Sequence, residues 1–298
     1  MNTQNSLKST APITEFPLFS RGKVRDVYDL GDRLLMVATD RLSAFDVVLP
    51  TAIPDKGKIL TQLSVFWFDY LKVPSHFLSA DVKDLPESLK KHEAYLAGRF
   101  MLVRKAKRFD VECVVRGYLA GSGWKDYQKT GKVCGHVLPS GLRQSVKLDP
   151  PLFTPAAKND VGHDENIDCE TMISMVGRDN AENLKAFTLD IYSRARAYAA
   201  DKGVILADTK FEFGVVDNQT IVIDEVLTPD SSRFWPAATY SEGREQDSFD
   251  KQYVRDYLQT LPWDKTHPGP ELPADVVKNT RRKYLEAFKL LTGKDFRG

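Results

Sequence analysis

The chain has 298 residues, of which 42% are hydrophobic and 28% are charged, an ordinary composition for a globular protein with a sizeable core. Its 42 basic and 41 acidic residues give a formal net charge of +1, which argues against the clustered basic charge of a nucleic-acid or membrane surface. Three widely spaced cysteines fit neither a disulfide framework nor a zinc ribbon, and neither a signal peptide nor a membrane-length apolar run is present. We therefore expect a cytoplasmic protein of one large domain or two lobes.

The first third of the chain is rich in predicted strands. After a polar leader of 15 residues, period-two segments flank a Leu30-Gly31-Asp32 turn, which is typical of a β-hairpin. Apolar residues then recur at helical spacing from Lys58 to Leu71. The predicted elements are a hairpin, a helix and two later strands, with a hinge over Lys107–Asp110 between those strands: Lys23–Tyr28 with Arg33–Thr39, Lys58–Leu71, Phe100–Lys105 and Val111–Tyr118.

The remainder mixes helices and strands. Ser122 stands where the N-cap of a short helix would be, and the segment 139–163 is predicted to be a long loop because it has several Pro and Gly. An Asp179/Glu182 capping box predicts a long helix that ends at Gly203. A predicted hairpin follows, formed by Val204–Val216 and Thr220–Val226. Two further helices are predicted near Phe249–Thr260 and Ala274–Leu291. This order predicts an α+β protein with a β-rich N-terminal lobe (1–108) and a larger mixed C-terminal lobe (109–298).

The strongest chemical signal is the segment Leu206–Gly214. Alternate side chains of a strand share a face, so Asp208, Lys210 and Glu212 are expected on one face and the apolar residues on the other. The plainer interpretation is a solvated edge strand with alternating charges. The neighbouring strand 221–225 ends in two acids, which favours a cleft-facing, charged row.

The hairpin register decides which acid lies opposite Glu212. If the loop is 217–219, Glu212 faces Asp224; for a two-residue loop we expect Glu225 instead. Two opposed carboxylates repel each other unless a cation bridges them, and Mg²⁺ prefers such hard oxygen ligands. Either register predicts an acidic metal pair beside Lys210, whose ammonium would neutralise charge on a phosphoryl or carboxylate group.

A second signal is the strand Val111–Tyr118, which carries Arg116 and leads into a small-residue turn at Ser122. A helix N-terminus with a hydroxyl is a ready anion site, and a guanidinium adds a bidentate fork for phosphate. Taken alone, a capped helix and a surface arginine explain the same residues.

Weaker signals lie elsewhere in the chain. Gly22 beside Arg21 and Lys23 at a hairpin start would allow close approach to phosphates. Further polar groups stand in a loop with Ser43 and Asp46, and others follow at Lys158, Asp160 and His163. The P-loop, the dinucleotide-binding glycine motif, the protein-kinase catalytic loop and the nucleophile elbow are all absent from the sequence, so ATP use would need a different cradle.

Together these stretches resemble the SAICAR synthetase family of purine biosynthesis. The resemblance rests on Arg21-Gly22-Lys23, Val111–Gly123, Leu206–Gly214 and the Asp224-Glu225 pair with the later Thr228–Trp235 segment. Asp110 departs from the family signature, which usually has proline there. The family implies a two-lobed, ATP-grasp-like α+β fold and an ATP-dependent ligase. It would join L-aspartate to the carboxylated aminoimidazole ribonucleotide (CAIR) through an acyl phosphate and give SAICAR, ADP and phosphate.

The resemblance also implies roles for individual residues. The ribonucleotide phosphate and other substrate groups would be held by Arg116, Ser122, Arg233, Ser43 and Asp46. The catalytic residues would be Asp208, Lys210 and Glu212, and Mg²⁺ would be carried by Glu212 and Asp224, with Glu225 as a further candidate. ATP would be bound by Arg21, Gly22, Lys23, Lys105, Glu112 and Lys158, with adenine near the hinge after Lys105.

The expected cofactors are therefore ATP and Mg²⁺, and the expected partners are small molecules rather than nucleic acid or membrane. A monomer is favoured, with a homodimer as the alternative. The rival functions are a small-molecule kinase on a similar scaffold, which would need no aspartate, and a non-catalytic nucleotide-binding module, which would be expected to lose one of the acids or Lys210.

Overall fold

The computed structural model describes residues 13–158 and 164–298. The chain divides into two compact units: unit 1 combines Met1–Ala106 with Asp250–Gly298, and unit 2 is Lys107–Phe249. The sequence-based division placed residues 250–298 in the second lobe, whereas in the structure they pack within the first unit.

The first segment of unit 1 is built on an antiparallel sheet. Its strands and helices are β1 (Leu18–Arg21), β2 (Arg25–Asp29), β3 (Arg33–Ala38), β4 (Ser43–Ala44), β5 (Val47–Val48), α1 (Lys56–Leu71), β6 (Phe77–Ser79), α2 (Glu93–Leu96) and β7 (Phe100–Arg104). The sheet has the order β1-β2-β3-β7-β6, and β4 pairs with β5 in a separate two-stranded sheet. Leu35 and Phe100 of the sheet pack with Leu89 and Leu96 in a buried cluster. The predicted hairpin, helix and strand of this region are confirmed.

Unit 2 is organised around one long strand. Its elements are β8 (Lys107–Arg108), β9 (Val111–Tyr118), α3 (Gly121–Thr130), β10 (Lys132–Val133), β11 (His136–Val137), β12 (Lys147–Phe153), β13 (Ala156–Ala157), β14 (Glu165–Asn166), α4 (Cys169–Val176), α5 (Arg178–Asp201), β15 (Val204–Val216), β16 (Gln219–Ile223) and β17 (Ser232–Pro236). Strands β9 and β8 pair along one edge of β15, and β17 and β16 pair along the other. Strands β12 and β13 continue the sheet beyond β9.

Helix α5 covers one face of this sheet. The Phe187 ring lies 5.2 Å from the ring of Phe213, and the Tyr192 hydroxyl donates a hydrogen bond of 2.8 Å to the carbonyl of Leu206. Phe211 and Phe213 are buried, as the alternating pattern predicts. Asp208, Lys210 and Glu212 therefore belong to the opposite face, which α5 leaves uncovered.

Gly117 is required by this packing. A Cβ atom at position 117 would lie 1.9 Å from the hydroxyl oxygen of buried Tyr192. We expect Gly117→Ala to lower the free energy of unfolding by about 2–3 kcal/mol, because overpacking forces the helix or the strand to shift. Urea unfolding measures the loss. Gly141→Ala is the control. An alanine is strained at the φ of +82°, but nothing lies within 4 Å of the added atom, so we expect the free energy of unfolding to fall by about 1 kcal/mol. Equal losses in both variants would contradict the packing argument.

Three local predictions were wrong. Helix α3 begins at Gly121 with Ala120 as its N-cap, so Ser122 lies inside the first turn. Helix α5 takes Gly177 as its N-cap without a side-chain hydrogen bond, and Asp179 stands in its first turn, where a carboxylate favours the helix dipole. The predicted loop 139–163 contains strands β12 and β13, because β9 offers them a free edge for backbone hydrogen bonds.

Unit 1 is completed by α6 (Gln252–Gln259) and α7 (Ala274–Thr292), close to the predicted bounds. Helix α7 ends at Gly293, whose φ is +69°. Val254, Leu258 and Val276 from these helices form one buried cluster with Leu42 and Ile53 from the first segment. This shared apolar burial explains why residues 250–298 belong to unit 1. Among the helices of the described residues, none combines the length and hydropathy needed to cross a bilayer.

Candidate active site

The first turn of α3 brings two guanidinium groups and a hydroxyl together. Arg116 Nη2 donates a 3.0 Å hydrogen bond to Ser122 Oγ. A Cβ atom at Gly123 would lie 3.0 Å from Arg116 Cδ, and one at Gly121 would lie 2.3 Å from Arg233 Nη2. The two glycines on either side of Ser122 thus allow both arginines to approach the start of the helix closely.

Asp208 joins these two arginines. It lies opposite Arg116 on β9 and opposite Arg233 on β17, so a single position of the central strand meets an arginine on each side. Asp208 Oδ2 accepts hydrogen bonds from Arg233 Nη1 at 2.5 Å and from Arg116 Nη1 at 3.4 Å. We call Arg116, Ser122, Asp208 and Arg233 the arginine cluster.

The two arginines differ in their access to solvent. The Arg116 side chain is 4% exposed and the Arg233 side chain is 25% exposed. Burial lowers the pKa of Arg116, and the charge of Asp208 opposes that shift. Arg116 Nε also donates to Thr154 Oγ1 at 3.1 Å. Arg116 is thus a fixed internal group, while Arg233 is the more accessible cation.

Thr154 was missed by the sequence interpretation. It is buried directly after β12, within the segment predicted to be a loop, and no motif marked it. Its hydrogen bond with Arg116 exists because β12 pairs with β9.

A second group of charges lies further along the same sheet. Lys210 Nζ donates to Glu112 Oε1 at 2.6 Å, and Lys158 Nζ lies 3.4 Å from the same oxygen. Lys158 also forms an ion pair with Glu212. We call Glu112, Lys158, Lys210 and Glu212 the acid–lysine cluster. The structure thus brings two residues predicted to bind ATP beside two predicted to be catalytic.

The charges of this cluster favour protonated Lys210. Burial acts to lower the pKa of Lys210, but the charge and hydrogen bond of Glu112 and the charge of Glu212 raise it above its usual value. The Lys210 side chain is 40% exposed, whereas that of Glu112 is 4% exposed. Lys210 is therefore a cation held in place by a buried carboxylate, with part of its surface open to a ligand.

Both predicted registers of the hairpin formed by β15 and β16 were wrong. The loop has two residues, Val216 pairs with Gln219, and Glu212 lies opposite Ile223. A shorter loop moves the partner of Glu212 back along the chain, not forward to Glu225. Asp224 follows the end of β16 with a φ of +66°. The opposed-carboxylate argument for a metal pair therefore fails, and any role of Glu212 and Asp224 must rest on other grounds.

Six further candidates belong to unit 1. Lys23 forms an ion pair with Asp46, so two predicted residues from different loops meet. Arg21 Nε lies 3.4 Å from Asp26 Oδ1, and Lys105 Nζ lies 2.6 Å from Asp29 Oδ1. Gly22 is exposed and Ser43 is buried in β4. Asp160 and His163 lie outside the described residues.

Comparisons with known proteins identify the family and the fold. The sequence model of the SAICAR synthetase family matches residues 18–270. A phosphoribosylaminoimidazole-succinocarboxamide synthase of Geotalea uraniireducens is 55% identical, over 94% of this chain and 97% of its own length. The SAICAR synthase of Saccharomyces cerevisiae in complex with SAICAR has a TM-score of 0.90 at 43% identity, over 98% of this chain and all of the other. A SAICAR synthetase in complex with ADP has a TM-score of 0.69 at 25% identity, over 94% of this chain and 99% of the other.

The fold and these relatives define an ATP-dependent carbon–nitrogen ligase with a mixed α+β architecture. The chain belongs to the SAICAR synthetase family. The protein is an enzyme of purine biosynthesis, and the alternative function of a small-molecule kinase is not favoured.

Proposed function

We propose that this protein uses Mg·ATP to join L-aspartate to the carboxylate of CAIR, giving SAICAR, ADP and phosphate in the cytoplasm. The observation that carries the proposal is the pair of charged clusters on one sheet face of unit 2: an anion-binding group around Arg233 and a lysine–carboxylate group around Lys210. The SAICAR and ADP complexes of the two related structures support the same ligands.

The chemistry requires that the carboxylate be activated before the amine attacks. A carboxylate oxygen of CAIR attacks the γ-phosphorus of ATP, the bond to the bridging oxygen breaks, and ADP leaves with that electron pair. The aspartate amine then attacks the acyl carbon, phosphate leaves, and the amine loses a proton. Several anions meet in this sequence, so positioning and charge neutralisation supply much of the rate.

The arginine cluster is suited to the ribonucleotide phosphate. Helix α3 has no acidic residue in its first turn and no side-chain cap, so its dipole favours an anion at that end. The exposed Ser122 and the partly exposed Arg233 stand at this turn. Arg116 and Asp208 would hold Arg233 and Ser122 in place rather than provide the main contact.

The acid–lysine cluster is suited to the reacting groups. Lys210 would stabilise negative charge on the CAIR carboxylate and its phosphorylated form. Glu112 fixes its ammonium, and Lys158 would contact ATP phosphate oxygens. Asp208 would contact the imidazole end of CAIR from the neighbouring position of β15.

Magnesium would neutralise the phosphate charge of bound ATP. The described residues contain no group of three or more potential ligands that would hold a metal alone. Mg²⁺ usually takes one or two carboxylates and completes its shell with phosphate oxygens and water. Glu212 and Asp224 fit that pattern as two hard oxygen donors.

In unit 1, Arg21, Gly22, Lys23 and Lys105 would bind ATP, and Ser43 and Asp46 would contact substrate. The exposed backbone of Gly22 and the exposed side chain of Lys23 suit phosphate binding. These roles, and a monomeric state, belong to the proposal.

Product analysis tests the proposed reaction. The protein is mixed with ATP, Mg²⁺, CAIR and aspartate, and each component is omitted in turn. SAICAR, ADP and phosphate are expected in equal amounts, and only in the complete mixture. Stoichiometric transfer of phosphate to a stable product without aspartate would favour the kinase alternative and overturn the ligase.

Gly121→Ala probes the substrate phosphate site. The added methyl group would lie 2.3 Å from Arg233 Nη2, and the φ of +57° disfavours a side chain. We expect the guanidinium to be displaced and the KM for CAIR to rise at least tenfold, with the KM for ATP within twofold. Steady-state kinetics with each substrate varied separately measures this. A uniform loss of kcat with unchanged KM values would contradict it.

A further inference from the structure

Residues 39–41 of unit 1 hold the backbone of the loop that carries Gly22 and Lys23. Thr39 donates to the carbonyl of Val24 through its backbone N–H at 2.9 Å and through its hydroxyl at 2.8 Å. Arg41 donates to the carbonyl groups of the two residues before Val24, from Nε to Lys23 O at 3.1 Å and from Nη2 to Gly22 O at 3.1 Å. The carbonyl groups of Gly22, Lys23 and Val24 thus all face residues 39–41.

This alignment has a consequence for the opposite side of the loop. In a trans peptide the N–H points away from the preceding carbonyl. Because the carbonyls of Gly22 and Lys23 face Arg41, the N–H groups of Lys23 and Val24 face the other way. Consecutive amides that point to one side form a concave site for anions. Arg21, Gly22 and Lys23 are exposed.

The guanidinium of Arg41 is held in place by the buried carboxylate of Asp26. Its Nη2 lies 2.7 Å from Asp26 Oδ1, and the side chains of Arg41 and Asp26 are 11% and 0% exposed. The guanidinium is therefore committed to three partners: one carboxylate and two carbonyls. A planar fork can satisfy all three, whereas a lysine ammonium is a point charge on a shorter stem.

We propose that Arg41 is a positioning residue for nucleotide binding: by holding the carbonyls of Gly22 and Lys23, it keeps the loop amides and Lys23 aligned toward the phosphates of ATP. This inference rests on the proposed function, because it requires that the loop bind ATP. Arg41 makes no contact with the nucleotide in this role.

The test compares Arg41→Lys with a matched change in the same unit. Arg281 donates two hydrogen bonds to Asp55 Oδ2, from Nε at 2.9 Å and from Nη2 at 2.6 Å, so Arg281→Lys removes a similar guanidinium contact outside the loop. Mg·ADP binding is measured by titration calorimetry, and KM values for ATP and aspartate are measured by steady-state kinetics. We expect Arg41→Lys to raise the Kd for Mg·ADP and the KM for ATP about tenfold, by analogy with residues that orient metal ligands, whose loss costs about tenfold or more. The KM for aspartate should stay within twofold, and Arg281→Lys should match the wild type.

The outcomes separate the two proposals. If the wild type binds Mg·ADP and Arg41→Lys binds it with the same Kd, the role of Arg41 is overturned while the proposed function stands. If the wild type binds no Mg·ADP, the proposed function fails and the role of Arg41 fails with it. Arg41→Met removes all three hydrogen bonds of the guanidinium and should weaken Mg·ADP binding further. Thermal unfolding shows whether the Arg41→Met variant is folded. If that variant is unfolded, the Kd of Arg41→Lys alone decides the role of Arg41.

Discussion

Lys210→Met is expected to lower kcat for SAICAR formation at least 100-fold while the protein stays folded. Lys210 is the partly exposed cation of the acid–lysine cluster, and its side chain is fixed at 2.6 Å from Glu112. Removing a charge that stabilises the developing phosphoryl and acyl oxygens costs about 10²–10³ in rate at comparable sites. Steady-state kinetics with all three substrates measures the loss, and circular dichroism reports on the fold.

Lys202→Met is the matched control for this change. Lys202 lies at the C-terminal end of α5, where its ammonium is 5.5 Å from the centre of the Tyr198 ring. It belongs to the same unit but to neither charged cluster, so kcat should stay within twofold of the wild type. A folded Lys210→Met variant with more than half of the wild-type kcat would exclude Lys210 from the chemistry.

Asp208→Asn is expected to combine a loss of stability with a loss of activity. The carboxylate stands between two guanidinium groups, and its side chain is 6% exposed. Without its charge, Arg116 is left buried and lacks its anionic partner, which costs about 3 kcal/mol of unfolding free energy. Urea unfolding measures this cost. Added inorganic phosphate should restore part of it, because an anion at the start of α3 would again neutralise the arginines.

Asp190→Asn provides the comparison for this variant. Asp190 pairs with Arg194 at 3.4 Å across one turn of α5, and both side chains are largely exposed. Such surface pairs contribute about 0.5 kcal/mol or less. If Asp208→Asn were no less stable than Asp190→Asn, or if phosphate stabilised both equally, the arginine cluster would not depend on Asp208.

The strands that carry the site could be predicted because their side chains alternate. Phe211 and Phe213 bury one face of β15, and this fixes the face on which Asp208 and Lys210 lie whatever the neighbouring strands are. The small residues around Ser122 likewise marked the turn that we propose as an anion site. These signals are local, so one sequence was enough to find them.

Features that depend on pairing between distant segments could not be predicted in this way. The register of the β15–β16 hairpin depends on a single loop residue, and it places Glu212 opposite Ile223 and not opposite Asp224. The contact between Arg116 and Thr154 depends on β12 adding to β9, which a segment rich in proline did not indicate. The predicted caps of α3 and α5 were wrong because each helix begins earlier in the chain than its polar residue suggests. Ala120 is the N-cap of α3 and Gly177 is the N-cap of α5, so Ser122 and Asp179 lie in the first turns.

The discontinuous make-up of unit 1 has a consequence for biosynthesis on the ribosome. Leu42 and Ile53 are translated about 200 residues before their partners Val254 and Leu258. Unit 2, which is continuous in the chain, has all its strands available before residues 250–298 are made. The nascent protein must therefore keep an apolar surface uncovered until Val254 and Leu258 have emerged, and a chain that stops at Phe249 would expose it permanently.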